Sequence, residues 1–309
     1  MSWLRARSGG GLKVGLGLHA EGLSIARVER SGEKPPRLLH CAFYPAAGEQ
    51  AQTAELARLN RELKLIGTPV VVVLEPGAYT LLQVEAPNVE AEEQCEAVRW
   101  RIKDLVEFPV EDAILEIFPM PHSQRAGAPK LISVVAAPKT MLQRVVTQLE
   151  SSGLLLAGID ITELALRNLL FCCSQGETLQ ALLYLAPRFG MIEIVRGSTL
   201  YLNRKIDING QDLQQQGGFG LNDTMDALVL ELQRSLDYQE SQFGQGPVAS
   251  VFINGWSVPT EQLIDFAGEN LSASVGALRI ADRMAGLETI PKEQVDRCLP
   301  AIGAALRED

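Results

Sequence analysis

Gly15-x-Gly17-x-x-Ala20, within Lys13 to Glu29, matches a dinucleotide-binding fingerprint, in which glycines let the backbone approach a pyrophosphate at the N-terminus of the next helix. The segment after the glycines argues against that chemistry. Leu23-Ser24-Ile25-Ala26-Arg27-Val28-Glu29 is short, carries β-branched Ile25 and Val28, and comes after the turn-forming pair Glu21-Gly22. Strand, turn, strand is expected, with a third strand over Arg37 to Phe43 and the glycines serving a turn. No acid closes a second strand about 20 residues on, so a dinucleotide-dependent enzyme is not expected. His19 could act as a general base, but no nucleophile or orienting carboxylate accompanies it in sequence, and it reads as a turn residue. Neither His40 nor His122 lies four residues from another histidine, and Cys41, Cys95, Cys172, Cys173 and Cys298 lack metal-ligand spacing. The cysteines read as reduced and structural, and neither a metal nor a cofactor is expected.

The elements that must position these residues belong to a folded chain of 309 residues, 46% hydrophobic and 21% charged, long enough for two domains. A net charge of −10 argues against nucleic acid and against anionic membrane surfaces as partners. The N-terminal Trp3-Leu4-Arg5-Ala6-Arg7 could touch headgroups but reads as a solvated end. No run approaches the roughly 20 apolar residues needed to span a bilayer, and no signal-peptide pattern precedes the first strand, which predicts a cytoplasmic location.

Along the chain, a helix is expected from Gln52 to Leu65, then a strand buried on both faces over Pro69 to Leu74, then an extended Tyr79 to Glu85. A long helix should start at Asn88 and end at Pro109, with Ala91, Cys95, Val98, Ile102 and Leu105 on one face. Strands over Ala113 to Phe118 and Leu131 to Ala136, a helix over Thr140 to Gly153, a strand over Leu154 to Ile161 and a helix from Thr162 to Cys173 complete the first half. The domain boundary is placed at Ser174 to Thr178. The second half restarts alike, with strands over Ala181 to Ala186, Met191 to Val195 and Thr199 to Ile206, which suggests a duplicated architecture. Beyond them lie a polar loop over Asp207 to Asn222, helices over Asp223 to Gln242 and Pro259 to Asn270, strands over Ala249 to Asn254 and Ala277 to Ile280, and one last helix over Lys292 to Arg307. The class is α/β with two related lobes.

Several stretches resemble the PilM-like pilus-assembly proteins of the actin-like ATPase (FtsA/PilM) superfamily. They are Val14 to Leu18 (VGLGL), Ile102 to Asp112 (IKDLVEFPVED), Ala136 to Leu166 (AAPKTMLQRVVTQLESSGLLLAGIDITELAL), Glu231 to Gln242 (ELQRSLDYQESQ) and Leu299 to Glu308 (LPAIGAALRE). The short second lobe is most similar to the MSHA-pilus branch. The resemblance implies a two-lobed actin-like ATPase fold with an inserted α/β subdomain in the first lobe and a reduced outer subdomain in the second. The lobes would be 1–177, with the insertion at about 78–153, and 178–309, the last helix at 291–309 packing back on the first lobe.

The family's first phosphate loop, V-G-I-D-I-G-S-S-S-V-K, puts its acid on Gly17, its second glycine on His19 and its lysine on Ser24. Its second loop, D-I-G, falls on Tyr184-Leu185-Ala186, and its adenosine-side S-G-G-G on Asn254-Gly255-Trp256-Ser257. The resemblance therefore implies a degenerate nucleotide cleft at Gly15, Gly17, His19, Tyr184, Ala186, Asn254, Gly255 and Trp256, with no acid to hold Mg²⁺. It also implies a cytoplasmic scaffold, peripheral to the inner membrane, that captures the cytoplasmic N-terminal peptide of a PilN-like (MshJ-type) protein; a pilus-assembly ATPase is a further implied partner. The groove would involve Tyr79, Leu81, Val84, Val98, Trp100 and Ile102. Trp100 lies off the helix seam, either an exposed anchor or packed on a neighbouring strand. A weak ATP binder or ATPase of the same superfold is the alternative.

Overall fold

The computed structural model describes residues 11–32, 34–90, 92–123, 127–173, 178–215, 219–255 and 260–308. Strand β1 (Leu12–Leu18) turns into β2 (Gly22–Glu29), and β3 (Arg37–Pro45) extends the antiparallel meander. Helix α1 (Glu49–Glu62) crosses to β4 (Pro69–Leu74), parallel to β1. A separate antiparallel sheet comes next, built from β5 (Thr80–Glu85), β6 (Ala113–Pro119) and β7 (Leu131–Pro138) in the order β5-β7-β6, with α2 (Gln94–Arg101) between β5 and β6. Helix α3 (Lys139–Ser151) returns the chain to β8 (Leu155–Ile161), which completes the first sheet as β3-β2-β1-β4-β8. From α4 (Thr162–Cys173) the chain enters β9 (Gln180–Leu185), β10 (Gly190–Arg196) and β11 (Thr199–Ile206). Helices α5 (Gly210–Gln215) and α6 (Phe219–Phe243) lead to β12 (Ser250–Gly255), α7 (Thr260–Asn270), β13 (Ser274–Gly276), α8 (Lys292–Arg297) and α9 (Leu299–Ala305). The second sheet, β11-β10-β9-β12-β13, repeats the plan of the first: two antiparallel pairings, then two parallel ones.

Burial follows the strand period of two. In β9, Ala181, Leu183 and Leu185 face α6 and α7, while Leu182 and Tyr184 face the layer shared between the sheets. Val70 to Val73 are buried on both faces, as a parallel central strand requires. The shared layer holds α4, α8 and α9, so the two sheets are joined by a core rather than by a linker. Within it α9 contacts β1, β2, β4 and α4, with Leu299, Ile302 and Leu306 at most 3% exposed.

The glycines of β1 do not serve the turn. Gly15 and Gly17 lie inside the strand, and the turn is made by His19 to Gly22, joined by His19 N–H to Gly22 O at 2.9 Å. An ideal Cβ on Gly15 would lie 1.7 Å from the Ala301 carbonyl oxygen, so its bareness lets α9 touch the sheet backbone to backbone. Gly303 does the same on the opposite side of α9, where a Cβ would meet Ala165 O at 1.9 Å.

Four expected elements differ. The long helix from Asn88 to Pro109 is reduced to α2: Asn88 is not its cap, and Leu105 is 55% exposed rather than on a buried seam. A three-stranded sheet offers little width to cover, and crowded Glu90, Glu92, Glu93 and Glu96 repel one another at helical spacing. The last helix breaks into α8 and α9 because Pro300 has no N–H to donate and its ring crowds the preceding turn. Part of the expected loop over Asp207 to Asn222 is helical: Asn209 Oδ1 accepts from Gln211 N–H at 2.9 Å while Asp212 Oδ2 accepts from Asn209 N–H at 2.9 Å, a reciprocal cap for α5. The short strand lies at Ser274 to Gly276 instead of Ala277 to Ile280, since the Leu278 N–H is taken by Asn254 Oδ1 at 2.8 Å. Trp3, Ala91, residues 174–177 of the expected domain boundary, and Trp256 with Ser257 lie outside the described residues.

Candidate functional site: a cleft closed by its own side chains

The two antiparallel hairpins, β1-β2 and β9-β10, converge on a small cavity lined by His19, Glu21, Glu75, Tyr184, Ala186, Arg188, Phe189 and Arg297 among others. Glu75 comes directly after β4 and Arg188 lies in the β9-β10 turn, so each sheet contributes charge. His19 Nδ1 lies 2.6 Å from Glu75 Oε1 and Nε2 lies 2.8 Å from Ser24 Oγ. A carboxylate can only accept, so Nδ1 carries a proton, and in the neutral ring Nε2 then accepts from the Ser24 hydroxyl. Glu75 Oε2 meets Arg188 Nη2 at 3.5 Å. Gly17 makes this possible: a Cβ there would sit 2.4 Å from Ser24 Oγ and 2.8 Å from His19 Nε2.

His19 is therefore more than a turn residue: its carboxylate and hydroxyl partners are Glu75 and Ser24. The order Ser-His-Glu matches a hydrolytic relay, but a nucleophile must meet its substrate, and Ser24 is fully buried inside β2. Its role is to lock the imidazole. The sequence signal for Ser24 is local: across the hairpin Gly17 pairs with Ser24, so a side chain at the turn reaches it. Glu75 has no such signal.

The other residues expected at a degenerate nucleotide cleft are spent on packing and on backbone pairing. Tyr184 is buried, tilts against Phe189 with ring centroids 6.0 Å apart, and lines the cavity with Ala186. Asn254 is buried and spends its carbonyl oxygen on Leu278; Gly255 ends β12, paired to Leu185. Gly15 is under α9. So Glu75 sits between the two hairpins, and the remaining cavity is about 20 Å³. That holds a water or two, against the several hundred Å³ of an ordinary ligand pocket. That cavity by itself is too small for a nucleotide, and the Glu75 carboxylate lines it. Glu75→Ala removes the acceptor shared by His19 and Arg188. Because Arg188 is half exposed the expected stability loss is only about 1 kcal/mol or less. Backbone amide exchange should rise at both hairpin turns, residues 18–22 and 186–190; unchanged exchange at the second turn would show that Glu75 does not tie the sheets.

A second polar group is buried around α4. The Tyr79 hydroxyl donates to Glu163, whose carboxyl burial pushes up to about 7. Asp160, also raised by burial, faces Arg307 at 3.6 Å, and its Oδ1 accepts from Ile161 N–H at 2.9 Å. Glu193 on β10 is fully buried; burial, then Glu163, raises its carboxyl well above the usual range, more than Arg167 and Asn203 lower it.

Of the expected partner groove, Tyr79, Val84, Val98 and Ile102 are buried, the last three in the core beneath α2. They cannot line a surface. Leu81 is half-buried, and Trp100 is 67% exposed with Lys103 Nζ 5.6 Å from its ring centroid, so Trp100 is not packed on a neighbouring strand.

Two five-stranded sheets of one topology facing a cleft, with an α/β insertion after β4 and only the helices α5 and α6 between β11 and β12, constitute the two-lobed actin-like ATPase fold. The chain superposes on a structure of the PilM-PilN type IV pilus biogenesis complex with a TM-score of 0.72 at 21% identity, covering 95% of this chain and 96% of that one. A Bacteroides thetaiotaomicron protein described as having an actin-like ATPase fold matches at TM-score 0.51 and 11% identity, over 94% and 96% of the two chains. The cytoplasmic domain of EpsL, an inner-membrane component of the type II secretion system of Vibrio cholerae, matches at 0.51 and 14%, over 85% and 97%. No family model and no curated protein matches the sequence. Among the described residues no helix is long and apolar enough to cross a membrane.

Proposed function

We propose that this chain is a cytoplasmic scaffold of type IV pilus assembly, PilM-like and of the MSHA type (MshI-like), that binds a membrane protein's peptide and does not hydrolyse nucleotide. The observation that carries the scaffold reading is the cleft: both hairpins close on Glu75 and leave about 20 Å³. The likeness to the PilM-PilN complex over 95% of the chain supports the pilus assignment. On this reading the partner is the cytoplasmic N-terminus of a PilN-like (MshJ-type) inner-membrane protein, which holds the chain at the inner membrane, and a pilus-assembly ATPase acts beside it. Leu81 and Trp100 are the groove residues left with accessible surface. Calorimetric titration with Mg-ATP should give no heat at concentrations where the N-terminal peptides of single-span pilus-assembly proteins bind. Nucleotide binding with hydrolysis, and no peptide binding, would establish the ATPase alternative instead.

A further inference from the structure

The 32 residues from Glu85 to Glu116 hold ten Asp or Glu against three Arg or Lys, so this segment carries most of the net −10 of the chain. Nine of those acids are exposed, all except Glu116. The bases are largely committed within the segment: Arg99 donates to the carbonyls of Val110 and Ala113, Arg101 to the Glu85 carbonyl, and Lys103 lies over Trp100. Within the same segment Val89, Trp100 and Leu105 are 43%, 67% and 55% exposed. Apart from Glu96, which pairs with Arg99 at 3.5 Å, the carboxylates outnumber the bases of the segment, and an exposed tryptophan and two aliphatic side chains among them suit an occupant with apolar anchors and positive charge.

We infer that the α2 face of the three-stranded sheet docks a basic, amphipathic peptide: the Lys/Arg-rich stretch that precedes the membrane span of the inner-membrane partner. The inference rests on the scaffold reading and adds to it what this surface recognises. Short cytoplasmic flanks of membrane spans are enriched in Lys and Arg, so a partner tethered in the bilayer presents this chemistry. Acidic side chains at Glu90, Glu92 and Glu93 steer it, and Trp100 supplies the apolar contact.

The test uses the full chain and two forms of the cytoplasmic N-terminal peptide of a single-span inner-membrane pilus-assembly protein, natural and with every Lys and Arg changed to Gln, monitored by fluorescence anisotropy. The natural peptide should bind at least about 10-fold tighter at about 50 mM salt, and the advantage should shrink to about 2-fold or less at about 500 mM. The triple variant Glu90→Gln, Glu92→Gln, Glu93→Gln, shown to be folded by circular dichroism, should lose the same advantage, and Trp100→Ala should weaken both peptides. Equal binding of the two peptides, or an advantage that survives in the triple variant, would overturn the inference while leaving the scaffold reading intact. Failure of both peptides to bind would overturn both.

Discussion

Gly15→Ala is expected to destabilise the fold by about 3 kcal/mol or more, an effect at the extreme for one methyl group. The new Cβ would lie 1.7 Å from the Ala301 carbonyl oxygen and 2.9 Å from the Ala305 nitrogen, and neither is the end of a side chain that can swing aside. Helix α9 would have to withdraw, loosening Leu299, Ile302 and Leu306 together. Gly303→Ala should behave alike because it abuts the backbone of Ala165, whereas Gly268→Ala in α7 has nothing within 4 Å and should stabilise by about 0.5 kcal/mol. Urea midpoints of the three variants check this; a Gly15→Ala midpoint equal to that of the parent chain would refute the packing.

The second large effect depends on pH. The Glu163 carboxyl ordinarily titrates near 4.5 and is held at about 7 in the fold by burial, so the folded state binds a proton that the unfolded chain releases. Stability from this group is fully present below pH 4.5 and is lost as pH rises through 7, a total of about 3 kcal/mol. Glu193 and Asp160 are raised in the same sense, and Arg167 and Arg307 oppose them. Glu163→Gln keeps an acceptor for the Tyr79 hydroxyl and carries no proton to lose. Its stability relative to the parent chain should rise by about 3 kcal/mol between about pH 5 and about pH 8. A difference that stays flat across that range in urea melts at each pH would rule out the buried proton. Tyr79→Phe removes a donor that favours the carboxylate, and should move the parent transition to higher pH.

Alternation and β-branched runs make the strands legible: Val70 to Val73, and both strand-turn-strand openings, lie where period and turn residues put them. Their shared sheet order accords with the repeated pattern. Helix ends are less legible, though for α9 the signal is present, since Pro300 forbids a continuous helix from Lys292 to Arg307. The reciprocal spacing of Asn209 and Asp212 likewise announces α5 inside a polar stretch that looks like loop. Site residues divide by reach. Ser24 lies five positions from His19 across one hairpin, whereas Glu75 lies 56 positions away, and only the parallel pairing of β4 with β1 brings it there. The family resemblance puts Val98 and Ile102 in a binding groove, but a four-residue apolar repeat over a sheet buries itself, and the residue off that repeat, Trp100, is the one left in solvent.

The wedge of α9 between β1 and α4 also orders events during synthesis. The strand that contains Gly15 leaves the ribosome long before the helix that covers it, Leu299–Ala305. Until then Ala26 and Val28 on the same face of the sheet have no partner from α9, and the nascent first lobe presents a bare apolar surface to whatever chaperone stands at the tunnel exit. The first lobe therefore cannot finish folding ahead of the second, and a ribosome stalled before residue 299 is expected to hold an incomplete first lobe.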